Sequence, residues 1–118
     1  MRDIGEYTVF KLADALVLEV YRATSAFPKS EMFGLTSQMR RAAYSIPMNL
    51  VEGAARRSSK EFARAIDIAA GSCEEVRYQL HLAAELGYVG RQETAGLEAK
   101  YEEVKKMLSG LLKRVSGS

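Results

Sequence analysis

Residues 35–56 most constrain what this chain can fold into, because their helical periodicity produces three faces instead of two. At about 100° per residue, one apolar face contains Leu35, Met39, Ala42, Ala43, Ile46, Leu50 and Gly53. A polar row contains Gln38, Arg41, Ser45, Asn49, Glu52 and Arg56. A second apolar face contains Tyr44, Met48, Val51 and Ala55. The core of a monomer needs only one apolar face, so the second predicts a contact with another molecule, most simply another copy of this protein.

The polar row has two interpretations. It is a solvated face, or it is a hydrogen-bonded seam between subunits in which Arg41, Asn49 and Glu52 pair across the contact. Arginine suits such a seam because its planar guanidinium can make two parallel hydrogen bonds to one carboxylate. The neighbouring apolar face favours the seam. The predicted subunit interface therefore consists of Arg41, Tyr44, Met48, Asn49, Val51 and Glu52.

Three further segments have helical periodicity. Residues 7–25 place Phe10, Ala13, Val17, Val20, Tyr21 and Thr24 at helical spacing, and Pro28 ends this helix because the residue before a proline disfavours the α region. Ser58 and Glu61 have the spacing of a capping box, which predicts the start of a third helix. This helix has a regular seam, meaning a line of apolar residues along one face. The seam alternates spacings of four and three through Phe62, Ile66, Ala69, Cys73, Val76, Leu80 and Ala83. After Gly90, a fourth helix extends to Val115.

No segment alternates with period two, so we expect an all-α fold. Four helices with short connections predict an antiparallel up-down-up-down four-helix bundle. The bundle is expected to be a single domain spanning residues 1–118, with residues 1–6 and 116–118 frayed. Pro47 lacks a backbone N–H and collides with the preceding turn, so we expect the second helix to bend there.

Positive charge is concentrated around the junction of the second and third helices. The formal net charge is only +2, but residues 34–64 contain six basic residues and two acidic ones. Four of the basic residues, Arg56, Arg57, Lys60 and Arg64, lie at the junction itself. They form either a solvated helix junction or a patch that contacts phosphates, and several copies in one ring would multiply the patch. The chain has no base-reading motif, so binding to RNA or DNA is expected to be independent of sequence.

The sequence offers little for catalysis. The paired metal sites of helical bundles require a glutamate three residues before a histidine. His81 is the only histidine, and the residue three positions before it is not acidic. Cys73 is the only cysteine, so neither an intramolecular disulfide nor a multi-cysteine metal site can form. We expect no enzyme, no metal and no cofactor. No apolar run approaches 18 residues and no secretory h-region is present, which predicts a cytoplasmic protein without a membrane partner.

Residues 27–29 and 34–53 (GLTSQMRRAAYSIPMNLVEG) resemble the signature of the four-helix bundle protein family, also called ribosomal RNA intervening-sequence proteins. The resemblance covers about residues 7–115 and places Arg41, Asn49, Glu52 and Gly53 on the family's polar signature. It implies an antiparallel bundle, a homopentamer with a central channel, and association with nucleic acid. Related bundles are accessory proteins of reverse transcriptases. The alternative function is therefore an oligomeric scaffold for a protein partner, such as a reverse transcriptase or another nucleic-acid enzyme.

Overall fold

The computed structural model describes residues 2–116, and within them the chain is helical with no strand. Its four long helices are α1 (Thr8–Thr24), α2 (Leu35–Ala54), α3 (Ser59–Glu85) and α4 (Arg91–Val115). Short 3-10 turns occupy Ile4–Glu6 and Lys29–Glu31. The predicted all-α four-helix fold is confirmed. None of these helices is both long and apolar enough to cross a lipid bilayer.

Each helix packs against its neighbours in sequence, and α1 also packs against α4. Between α2 and α3, the hydroxyls of Ser45 and Ser72 are hydrogen-bonded, whereas Gly53 lies against Phe62. As the residue number rises along α2, the number of the residue it contacts on α3 therefore falls. Pro47 is buried within one continuous α2 helix, and the bend expected there stays a prediction.

A single hydrophobic cluster contains residues from all four helices. All seven positions of the predicted α3 seam are buried, and so are six of the seven residues on the first apolar face of α2, Leu35 being half-buried. In α1, the residues at helical spacing coincide only partly with the buried ones: Ala13, Val20 and Thr24 are buried. Val9, Leu16 and Ala23 are buried there, whereas Phe10 and Val17 are half-buried and Tyr21 is exposed. Apolar residues cover most of the circumference of α1, so periodicity alone did not identify the face directed at the core.

The connections are held by local hydrogen bonds. Ser58 Oγ accepts the Glu61 backbone N–H at 3.0 Å, as the capping box predicts. At the other end of the bundle, Tyr88 Oη donates to Glu31 Oε2 at 2.8 Å, and Glu31 Oε1 accepts the Leu35 N–H at 3.0 Å. The first bond joins the α1–α2 connection to the α3–α4 connection, and the second holds Glu31 against the start of α2.

The N-terminal segment, predicted to be frayed, has defined contacts. Residues 4–6 form a 3-10 turn, and Ile4 packs against the core. Arg2 donates a hydrogen bond to the carbonyl of Arg56, just after the end of α2. At the C-terminus Ser116 lies in a turn, and the fraying expected at residues 117–118 lies outside the described part of the chain.

Candidate functional site

The predicted phosphate-contacting residues lie together at one end of the bundle. Because α2 ends at Ala54 and α3 begins at Ser59, Arg56 and Arg57 occupy the connection itself. Lys60 and Arg64 follow in the first two turns of α3. All four side chains are exposed, and none forms an ion pair with a carboxylate in residues 2–116. They are therefore available to an anion from solution.

Arg2 is a fifth cation at this end. Its Nη1 donates to the Arg56 carbonyl at 2.7 Å, and its guanidinium lies 4.5 Å from the ring centroid of Phe62. Arg2, Arg56 and Arg57 line one shallow depression together with Ala54 and Ala55. We call Arg2, Arg56, Arg57, Lys60 and Arg64 the basic junction. Sequence reasoning missed Arg2 because 54 residues separate it from Arg56 and no local pattern connects them.

Two carboxylates moderate the charge of the basic junction. Glu52 and Glu61 line the depression between α2 and α3 together with Arg56 and Arg64. The Glu61 carboxylate is directed at its own helix start, where Oε1 lies 3.1 Å from Ser58 Oγ. The five cations of the basic junction outnumber these two carboxylates, so the junction is positively charged and attracts anions.

The second apolar face of α2 lies on the surface of the chain. Tyr44, Met48 and Val51 are 37%, 45% and 46% exposed, and Arg41 beside them is exposed too. On the adjacent helix, Leu18 is 58% exposed. Isolated surface leucines need no explanation, whereas three large apolar side chains along one helix face form an exposed apolar stripe. Its role as a subunit contact stays a prediction.

The polar row of α2 is not uniform. The hydroxyl of Ser45 is hydrogen-bonded to Ser72, and Asn49 Nδ2 donates to the Ser45 carbonyl at 2.7 Å. Both side chains are half-buried between α2 and α3, whereas Arg41 and Glu52 are exposed. Within one chain, the middle of the row is thus occupied by intramolecular hydrogen bonds. Its exposed members remain candidates for the predicted subunit contact.

The side chains considered for chemistry lie apart from the basic junction. Cys73 is buried, and burial raises the pKa of its thiol to about 11, so it is not a thiolate near neutral pH. His81 is exposed beside Tyr78, with the ring centroids 6.2 Å apart. In residues 2–116, no three histidine, cysteine or acidic side chains are grouped to hold a metal ion.

Comparison with known proteins identifies relatives of this arrangement. A family model described as 23S rRNA-intervening sequence protein matches residues 5–110. No curated protein matches the chain. One similar crystal structure is a protein of unknown function from the S23 ribosomal protein family of Bacteroides thetaiotaomicron, with 21% sequence identity and a TM-score of 0.81. The match covers 89% of this chain and 95% of that one. At this identity, the likeness shows a shared fold.

Proposed function

The chain belongs to the 23S rRNA-intervening sequence protein family, and from this premise we propose that it is a non-enzymatic, homo-oligomeric protein that associates with RNA or DNA. The proposed contact is the basic junction, and the proposed recognition is independent of base sequence. The family membership itself agrees with the resemblance seen in the sequence.

The availability of the cations at the basic junction carries the proposal. Arg56, Arg57, Lys60 and Arg64 are exposed and have no carboxylate partner in the described residues. Guanidinium groups can bind phosphate oxygens through two parallel hydrogen bonds. Each phosphate that a cation neutralises also releases condensed counterions, which favours binding at low salt.

The absence of an exposed ring at the junction supports recognition of the backbone. Phe62 is the only aromatic residue in residues 52–64, and it is 1% exposed beneath the guanidinium of Arg2. Proteins that bind bases of single strands stack them on exposed aromatic side chains. The basic junction offers charge without such a platform, so it is suited to phosphates and not to bases.

Assembly of several copies would strengthen the binding of nucleic acid, because a single basic junction contacts only a few phosphates. The exposed apolar face of Tyr44, Met48 and Val51 supports a homo-oligomer, and the resemblance to the family implies a pentamer. Several basic junctions held in one particle act at a high effective concentration along a single nucleic-acid chain.

Fluorescence polarisation with labelled RNA and DNA of equal length, at about 50 and 200 mM salt, tests the proposal. We expect both to bind, with affinity that falls steeply with salt. The variant Arg56→Glu/Arg57→Glu/Lys60→Glu should lose at least tenfold in affinity.

A matched control reverses Arg22, Lys29 and Lys106, three exposed cations outside the junction, and changes the net charge equally. It should bind within about threefold of the wild type if contact is local, since charges beyond a Debye length of about 10 Å are largely screened. Absence of binding at the lower salt, or equal losses in both variants, would refute the basic junction as the contact.

One observation favours the alternative, an oligomeric scaffold for a protein partner such as a nucleic-acid enzyme. Phe33 is 96% exposed and Met32 49% exposed in the α1–α2 connection, at the end of the bundle opposite the basic junction. The wild type should capture such a partner in a pull-down after nuclease treatment and at high salt, and Phe33→Ser should abolish this capture. If the Phe33→Ser variant still captures the partner, Phe33 no longer supports the scaffold function.

A further inference from the structure

We infer that copies of this chain associate through two different surfaces, the outer ridge of α2 on one copy and a groove between α2 and α3 on the next. The ridge is defined as Arg41, Tyr44, Met48 and Val51. The groove is defined as Leu35, Glu75, Gln79, Leu82 and Leu86, which line one depression, and Ile68, which follows on the same face of α3 and lines the adjacent depression. This inference rests on the proposed homo-oligomer and specifies which surfaces meet in it.

The groove contains a buried acceptor that lacks a donor. Gln79 is only 7% exposed; its Nε2 donates to Glu75 Oε2 at 3.4 Å, and its Oε1 has no partner among the described residues. A buried polar atom without a hydrogen bond costs free energy. Around Gln79, the surface is largely apolar because Leu35, Leu82 and Leu86 line a concave volume of about 480 Å³. The groove is therefore suited to an apolar surface that brings a hydrogen-bond donor.

The ridge supplies that combination. Arg41 is exposed, forms no ion pair in residues 2–116, and carries five N–H donors. Beside it, Tyr44, Met48 and Val51 follow at spacings of four and three, so they form a stripe along the helix. The guanidinium of Arg41 can pair with the exposed Glu75 carboxylate of the next copy. Gln79 Oε1 is itself buried, so it meets this donor when the Gln79 side chain, whose bond to Glu75 is 3.4 Å long, turns toward the surface. The contact thus matches charge with charge and apolar area with apolar area.

The two surfaces also match in height along the bundle. The hydrogen bond between Ser45 and Ser72 sets a common level for α2 and α3. At 1.5 Å per residue, Arg41 lies about 6 Å from this level, between Glu75 at about 4.5 Å and Gln79 at about 10 Å on the same side. On the other side, Met48 and Val51 lie at about 4.5 and 9 Å and bracket Ile68, which lies at about 6 Å. Copies placed side by side with their axes parallel therefore align both parts of the contact.

Two single-surface variants test the pairing. Met48→Glu blocks the ridge and Ile68→Glu blocks the groove, and both replace side chains that are about half exposed (45% and 47%), so the fold should persist by circular dichroism. The wild type should be oligomeric by light scattering, and each variant alone monomeric. Mixed, the two should form only 1:1 dimers, because the intact ridge of one fits the intact groove of the other.

The outcomes separate this inference from the proposed function. A monomeric wild type at high micromolar concentration refutes the homo-oligomer itself. An oligomeric wild type whose variants stay monomeric when mixed, or assemble alone, refutes only the ridge-to-groove pairing.

A charge exchange tests the polar part of the contact. Arg41→Glu and Glu75→Arg should each weaken assembly at least tenfold, and the double variant should recover most of the loss. Glu102→Arg, an exposed site on α4, should give no recovery in the Arg41→Glu background. No recovery by Glu75→Arg, or equal recovery by Glu102→Arg, would refute the Arg41–Glu75 pair.

Discussion

Replacing Gly53 with alanine should destabilise the protein, although alanine is the better helix former. Gly53 is buried in the last turn of α2, where that helix crosses α3. A Cβ at this position would lie 2.4 Å from the Cβ of Ala65 and 3.2 Å from Cδ1 of Phe62. The Cβ of Ala65 is fixed by the α3 backbone and cannot rotate away. The two helices would have to separate locally to admit one methyl group.

The magnitude follows from two opposing effects. Extra volume forced into a packed interior costs about 1–3 kcal/mol, whereas alanine in place of glycine stabilises a helix by about 1 kcal/mol. The difference is a loss of about 0–2 kcal/mol. The 2.4 Å approach to a fixed Cβ places Gly53→Ala in the upper half of that range, about 1–2 kcal/mol, or a melting temperature lower by about 4–8 °C for a chain of this size.

Gly96 provides a matched control. It is exposed within α4, and an added Cβ there meets no atom within 4 Å. The same substitution should therefore stabilise by about 0.5–1 kcal/mol. In addition, Ala65→Gly removes the closer of the two collisions, so Gly53→Ala should cost at least about 1 kcal/mol less in that background.

Urea unfolding followed by circular dichroism compares the wild type, the three single variants and the Gly53→Ala/Ala65→Gly double variant. The protein concentration must be held fixed, because association changes apparent stability. If Gly53→Ala stabilises as much as Gly96→Ala, the close approach of α2 and α3 is not as described. If Gly53→Ala lowers the free energy of unfolding by the same amount in the Ala65→Gly background, the methyl group of Ala65 is not what obstructs a side chain at position 53.

Three further predictions concern individual polar groups. Tyr101 Oη is buried without a partner in the described residues, so Tyr101→Phe should raise stability by about 1 kcal/mol in urea unfolding, and a loss would contradict this. Burial raises the pKa of Cys73 from 9.0 to about 11. Its thiol should therefore react with iodoacetamide at pH 8 at least tenfold more slowly in the folded protein than in urea. The associated stability should be complete below pH 9 and be lost as the pH rises through about 11. The Leu35 N–H and then the Tyr88 hydroxyl lower the pKa of Glu31 below 4.5. Stability should accordingly be lost as the pH falls below that value, and Tyr88→Phe should reduce this acid sensitivity in urea titrations between pH 3 and 7.

The sequence predicted those parts of the fold in which one face is clearly apolar. In α3, the seam from Phe62 to Ala83 is flanked mainly by polar residues, and all seven of its positions are buried. In α1, leucine and valine occupy positions 16–18 and 20, so several faces are nearly equivalent in periodicity. Only packing against the neighbouring helices decided that Leu16 points inward and Leu18 outward.

In the candidate sites, too, the sequence revealed residues that are close together in the chain and missed those whose role depends on distant residues. Arg56, Arg57, Lys60 and Arg64 were found because they are close in sequence. Arg2 and Gln79 were missed, because the role of each depends on residues far away in the chain or on the path of a second helix. Gln79 in particular resembles an ordinary surface glutamine until its burial and its unpartnered Oε1 are seen.

The two proposals are energetically linked by where their surfaces lie. The ridge and most of the groove run along the sides of the bundle, whereas the basic junction lies at one end; of the groove residues, Ile68 shares a depression with Arg56 and Arg64. Contacts between parallel copies would therefore leave most of each junction free, at the same end of the assembly. A nucleic acid that bridges two junctions then binds the assembly more tightly than a single copy. By reciprocity, the same nucleic acid strengthens the contact between copies by an equal free energy. Phosphate binding and ridge-to-groove assembly therefore cannot be independent if both occur: each must shift the equilibrium of the other in the same direction and by the same factor.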